Sequence, residues 1–202
     1  MSAKSFRSIK REIRVLGVDD GVFTPHAKGE VDLVGIVYRG GYWFDGVMRT
    51  EITIDGLDAT EKIASMILDS PHYAQLRVIV LDGVTFGGFN VVNMKELFRT
   101  VNRPVIAVTR EKPDFDEIEK ALKNLPEYEK RWEAIKATGK ITEVRTRKGE
   151  APVYMQIAGI ARKDAEEILR KTSTRSNVPE ALRVAHIVAS GLTRSKETLT
   201  AR

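Results

Sequence analysis

The chain has 202 residues, 42% of them hydrophobic and 30% charged, with a formal net charge of +5 and no cysteine. Its length and apolar content suit one globular domain and exclude wholesale disorder, while the lack of cysteine excludes disulfides and thiolate metal sites. No apolar run approaches the roughly 20 residues of a membrane-spanning helix, and the basic start MSAKSFRSIKREIR lacks a signal peptide's apolar core, so a cytoplasmic protein without membrane contact is expected.

The predicted elements follow in chain order. The first is a strand over 13–19, and a second covers 31–39 (VDLVGIVYR). Gly40-Gly41 then turns the chain into a third strand over 42–54. In GLDATEKIASMILDS, Asp58 can cap a helix and Glu61 stands three residues on, as in a capping box, with Ile63, Met66 and Ile67 as its apolar stripe. A strand over 76–82 follows, then the glycine-bearing loop GVTFGGFN, a helix to about residue 100, and the strand in RPVIAVTRE.

Beyond Pro113 the periodicity is helical to about 137, interrupted at Pro126. KITEVRTRKG and PVYMQIAGI read as strands joined by a turn at 148–151, and helices over 161–171 and 179–190 finish the chain. One domain over 1–202 is expected, frayed at about 1–10 and 192–202, because the tail after Gly191 is polar. Three antiparallel strands, then parallel strands alternating with helices, is the order of an α/β ribonuclease H-like mixed sheet flanked by helices.

Chemistry concentrates at two strand ends. IRVLGVDDG finishes on Asp19 and Asp20, and LRVIVLDG on Asp82. A run such as Val78-Ile79-Val80-Leu81 suits a strand buried on both faces, and an acid at its carboxyl end lies where open α/β sheets place ligands. Two such acids on neighbouring strands repel unless a cation or proton intervenes, so Asp19 and Asp82 are candidate metal ligands. Each taken alone also fits a loop or helix cap. Asp20 should point to the opposite face but can turn inward at Gly21, which makes it a further candidate ligand.

Glu61 is a candidate third ligand with Asp58 as its competitor, although capping explains both. His186, in ALRVAHIVAS, lies within an amphipathic helix, where a lone histidine is more often structural than catalytic. His26 and His72 fall near loops, and no two histidines have zinc spacing. Gly83, Gly87 and Gly88 give a backbone able to approach a ligand, but no P-loop or dinucleotide motif is present. Tyr42, Trp43 and Phe44 could stack on bases, with packing inside the hairpin as the favoured reading. Cations cluster at Lys4, Arg7, Lys10, Arg11 and Arg14, and again at Arg145, Arg147 and Lys148. Such clusters attract phosphate backbones, with a solvated basic surface as the favoured reading from charge alone.

With these residues placed, the chain resembles, from about 13 to 190, the endonuclease V superfamily within the ribonuclease H-like fold. More closely it resembles an uncharacterised, mainly archaeal family related to that nuclease. LGVDDGVF resembles the first strand with its metal-binding aspartate, mapping it to Asp19, and VIVLDG maps the second to Asp82. RPVIAVTRE resembles the following strand, with Arg110 where the nuclease has lysine. APVYMQIAG resembles a late strand, VPEALRVAH maps the site histidine to His186, and Glu61 stands at the helix-start glutamate.

Three elements depart from the nuclease. TEITIDGLDATEK replaces its Pro-Tyr-x-Pro wedge, GVTFGGFN its His-Pro-Arg loop, and AGIARKD a Gly-His pair. These read the damaged base in the nuclease, so their loss argues against deaminated-base recognition and leaves the metal residues intact. The resemblance implies an Mg²⁺- or Mn²⁺-dependent endonuclease or phosphodiesterase acting on nucleic acid. Asp19, Asp82 and Glu61 would hold metal, His186 would handle protons and Arg110 would meet phosphate. The alternatives are a non-catalytic nucleic-acid-binding module of the same fold and a small-molecule phosphate-processing enzyme.

Overall fold

The computed structural model describes residues 4–25 and 27–200, with side chains to residue 193, so His26 lies outside the described residues. The elements are β1 (Arg14–Asp20), β2 (Glu30–Arg39), β3 (Trp43–Thr53), α1 (Ala59–Leu68), β4 (Val78–Asp82), β5 (Thr85–Phe86), β6 (Asn90–Val91), α2 (Met94–Val101) and β7 (Val105–Thr109). After them come α3 (Phe115–Leu122), α4 (Tyr128–Ala137), β8 (Thr142–Val144), β9 (Val153–Ala158), α5 (Arg162–Thr172) and α6 (Glu180–Thr200).

Seven strands form one sheet in the order β3-β2-β1-β4-β7-β9-β8. β1, β4 and β7 run parallel at its centre, and the outer pairings are antiparallel. This is the ribonuclease H-like mixed sheet expected from the sequence. The central strands are apolar throughout because helices cover both their faces. Leu16 and Val18 of β1 share one core with Ile63 and Ile67 of α1 and Leu97 of α2. Val15 of β1 and Val80 of β4 share the other with Ile168 of α5 and Leu182 of α6. Each fully buried Val, Leu or Ile contributes about 1.5–3 kcal/mol. β3, at the edge, is mostly exposed or half-buried and carries Arg49 and Glu51, charges that discourage further strand pairing.

Four expectations change. The predicted loop over 83–90 holds the β5–β6 hairpin. Residues 4–10, expected to fray, are tied down: the Lys4 amide donates to the Gly159 carbonyl at 2.8 Å, and Ile9 is buried. The tail beyond Gly191 continues α6 to Thr200, because the helix still packs on β2 through Val188 and Leu192. Tyr42, Trp43 and Phe44 stand 48%, 44% and 52% exposed; Phe44 keeps an edge-to-face contact with Tyr38 across the hairpin at 6.1 Å, whereas Tyr42 and Trp43 face solvent. Among the described residues, no helix is long and apolar enough to cross a membrane.

Candidate metal centre

Val18 of β1 pairs with Leu81 of β4 in parallel register, so Asp19 and Asp82 finish adjacent strands side by side. Alternation places both on the face covered by α6. That helix lies unusually close: a Cβ on Gly17 would collide with the backbone of Ala181 and Leu182. Ala185 and Ala189 continue the close seam over Val34 and Ile36. Two turns into α6, His186 reaches the strand ends, where its Nδ1 lies 2.9 Å from Asp19 Oδ2. Ligand atoms of Asp19, Asp82 and His186 all lie within 4.8 Å of one another. Asp19 is 4% exposed, whereas the His186 side chain is 58% exposed, leaving one side of the group open to solvent.

Burial pushes the Asp19 carboxyl up to about 8, reinforced by the neighbouring charges of Asp82 and Asp20. Burial also raises Asp82, against the opposing pull of Arg110 and His186. Two crowded carboxylates with an imidazole form a donor set suited to a divalent cation, whose charge would relieve their repulsion. The residues fit the metal. Asp19 holds its proton longer when folded than when unfolded, so stability from this group is full below about pH 4 and is lost as pH rises through about 8. Cation-free protein is therefore expected to lose about 1.4 kcal/mol per pH unit across that window. Asp19→Asn should flatten the slope and added cation should restore stability near pH 8. Thermal melts in chelator measure this, and identical pH slopes for wild type and Asp19→Asn would refute it.

The other candidates divide. Asp20 points to the opposite face, where its carboxylate accepts the Gly87 amide; burial raises its pKa and that amide opposes the rise. Asp20 therefore fastens the β5–β6 turn while its carboxyl stays within electrostatic reach of Asp19 and Asp82. Arg110 ends the strand beside β4 and acts electrostatically on Asp82.

Glu61 does not join the group. It is exposed on α1, which packs on the opposite face, and it lines a separate cleft of about 600 Å³ with Thr60, Glu96 and Arg131. Asp58 is also elsewhere, accepting from the Thr53 amide and hydroxyl and from the Asn90 amide group. It occupies the N-cap position without capping; Asn90 Oδ1 takes the Ala59 amide at 2.9 Å instead. His72 packs its ring against Gly46, outside the group.

Sequence reasoning passed over Arg131. Its guanidinium donates to the carbonyls of Pro126, Gly56, Phe89 and Asp55 at 2.5 to 3.0 Å. The Asp55 amide donates to the Gly87 carbonyl, and Asp55 Oδ1 accepts the Phe89 amide. Arg131 thus anchors the loop that Asp20 holds from the other side. Its position four residues before Ile135, on the buried stripe of α4, is the signal that would have found it.

The sequence matches the family described as Endonuclease dU over residues 11–193. The chain belongs to that family. A relative from Methanosarcina acetivorans, described as a UPF0215 protein, is 56% identical over 184 residues, spanning 91% of this chain and 92% of its own. The crystal structure of a protein of unknown function from Archaeoglobus fulgidus is similar with a TM-score of 0.80 and 38% identity, covering 89% of this chain and 97% of that one. Ciona intestinalis endonuclease V, solved in complex with a 24mer DNA containing an inosine followed by a ribo-adenosine, has a TM-score of 0.57 at 15% identity, over 94% and 87% of the two chains. That likeness to endonuclease V is one of fold.

Proposed function

We propose that the protein is an endonuclease that uses a divalent cation, Mg²⁺ or Mn²⁺, to hydrolyse phosphodiester bonds in nucleic acid. The observation that carries this reading is the convergence of Asp19, Asp82 and His186 within 4.8 Å at the ends of two central strands in a member of the Endonuclease dU family. A cation bound there would supply charge for a phosphoryl oxygen and a lowered pKa for bound water. Asp19 and Asp82 hold it. His186, oriented through Nδ1 by Asp19, presents its other ring nitrogen towards solvent to take or give a proton at the scissile phosphate. Arg110, exposed beside Asp82, neutralises the phosphate backbone.

The family's description carries the abbreviation dU, read as deoxyuridine, the nucleoside of uracil, which is deaminated cytosine. The wedge and loop motifs associated with base reading in endonuclease V are missing from this sequence, so recognition of uracil falls to other elements. The β5–β6 turn, fixed between Asp20 and Asp55, is the nearest such element. The test is cleavage of labelled single- and double-stranded DNA and RNA, unmodified or carrying deoxyuridine or inosine, with Mg²⁺ or Mn²⁺ and with chelator. Cation-dependent cleavage, strongest with deoxyuridine, is expected. Salt-sensitive binding without any cleavage, unchanged by Asp82→Asn, would identify a binding module instead.

A further inference from the structure

The two ends of the sheet carry opposite charge. Acids finish β1 and β4, whereas cations gather where those strands begin: Arg14 opens β1, Arg39 closes β2, and Arg77 and Arg103 precede β4 and β7. The N-terminal segment adds Lys4, Arg7, Lys10 and Arg11 to the same end. A cleft of about 370 Å³ is lined by Lys10, Arg14, Arg77 and Phe6, with Glu12 as the one acid among the described residues on its lining. A second, of about 380 Å³, is lined by Lys4, Arg7, Arg103 and again Arg77 and Phe6. Asp45 pairs with Arg14 and Arg39, while Arg7, Lys10, Arg11 and Arg77 are exposed. Burial and the nearby charges of Arg103 and Arg77 hold the Lys4 ammonium below its ordinary pKa.

The β2–β3 turn adds aromatic surface to this cationic end. Tyr42, Trp43 and Phe44 each leave about half their surface in solvent, at 48%, 44% and 52%. The Arg11 guanidinium lies over the Tyr42 ring at 4.6 Å, and that of Arg39 over Trp43 at 5.6 Å. The Tyr42 and Trp43 ring centroids are 5.5 Å apart. Consecutive solvent-facing rings add little to a core. Set beside a basic groove, they form the combination that binds single strands: cations track the phosphates while rings stack on unpaired bases.

We propose that this end of the sheet is a second nucleic-acid-binding surface, specific for single-stranded DNA or RNA. Lys4, Arg7, Lys10 and Arg77 hold phosphates, and Tyr42 and Trp43 stack on bases. Arg14 and Asp19 are five residues apart on β1, or about 17 Å at roughly 3.3 Å per residue. A strand gripped here is held rather than cut, and the surface favours substrates with an unpaired flank. The inference draws on the proposed function only for the class of ligand.

Trp43 is its own reporter, because the chain has just two tryptophans. In Trp132→Phe protein, a short oligothymidylate titrated at low salt should quench Trp43 emission, equally with or without Asp82→Asn. Anisotropy with a labelled oligothymidylate should show roughly tenfold weaker binding for Trp43→Ala, with Trp43→Phe restoring most of it. Arg7→Ala with Arg77→Ala should lower the salt slope by about 1.4, as two lost phosphate contacts predict. Quenching without cleavage would sink the nuclease reading alone. Cleavage without quenching would sink this surface alone. Emission that changes with protein concentration and not with oligonucleotide would mark a contact between copies of the chain, and overturn it.

Discussion

Asp82→Asn is expected to lower cation-dependent cleavage by about 10³-fold or more while leaving the protein folded. Charge stabilisation by a bound cation contributes several kcal/mol to the transition state, and each 1.36 kcal/mol is tenfold in rate. The substitution removes one of the two carboxylates in the group and keeps its shape. Its effect on stability should have the opposite sign. Burial raises the Asp82 pKa, so the charged carboxylate is a cost to the cation-free fold that asparagine does not carry. Single-turnover cleavage and thermal melts in chelator, run on the same preparations, separate the two effects. Cleavage within tenfold of wild type would remove Asp82 from the metal centre.

Arg131→Ala is expected to destabilise the fold by several kcal/mol, because it leaves several buried carbonyl acceptors without a donor. The residue is 2% exposed, and four main-chain carbonyls depend on it. Truncation strands buried acceptors, at about 1–3 kcal/mol for each one that water does not reach. Arg131→Lys should rescue little, because an ammonium lacks the planar fork that spans several acceptors. Urea unfolding gives the magnitude, and a loss below 1 kcal/mol would show that the loops hold themselves.

Most of the sheet was legible because its signals are local. Strands buried on both faces read as unbroken apolar runs, and acids closing two of them suggested a shared site. The register that sets Asp19 beside Asp82 follows from β1 and β4 being parallel neighbours, which the element order implies. His186 was different. An imidazole on an amphipathic helix carries no local mark of function, and only the resemblance around VPEALRVAH pointed to it.

Glu61 and Asp58 misled because a helix start produces acids for its own reasons. Here the cap comes from Asn90, 31 residues away from the amide it binds, beyond any local pattern. Of the rings at the β2–β3 turn, Phe44 packs on Tyr38 as hairpin packing predicts, whereas Tyr42 and Trp43 stay exposed, because alternation assigns faces within a strand and says nothing about what covers its end.

Asp19 and His186 are separated by 167 residues, which gives assembly of the centre an order. During synthesis β1 and β4 emerge first and can pair, bringing two carboxylates together with no imidazole. The histidine arrives only once α6 has been made and has settled against Gly17. Closing so distant a contact is slow compared with local structure, so a partly made or α6-truncated chain holds the acids but not the group that would handle the proton. Under the proposed function, competence to cut is thereby tied to one of the last packing events along the chain, which would keep unfinished chains from acting on nucleic acid.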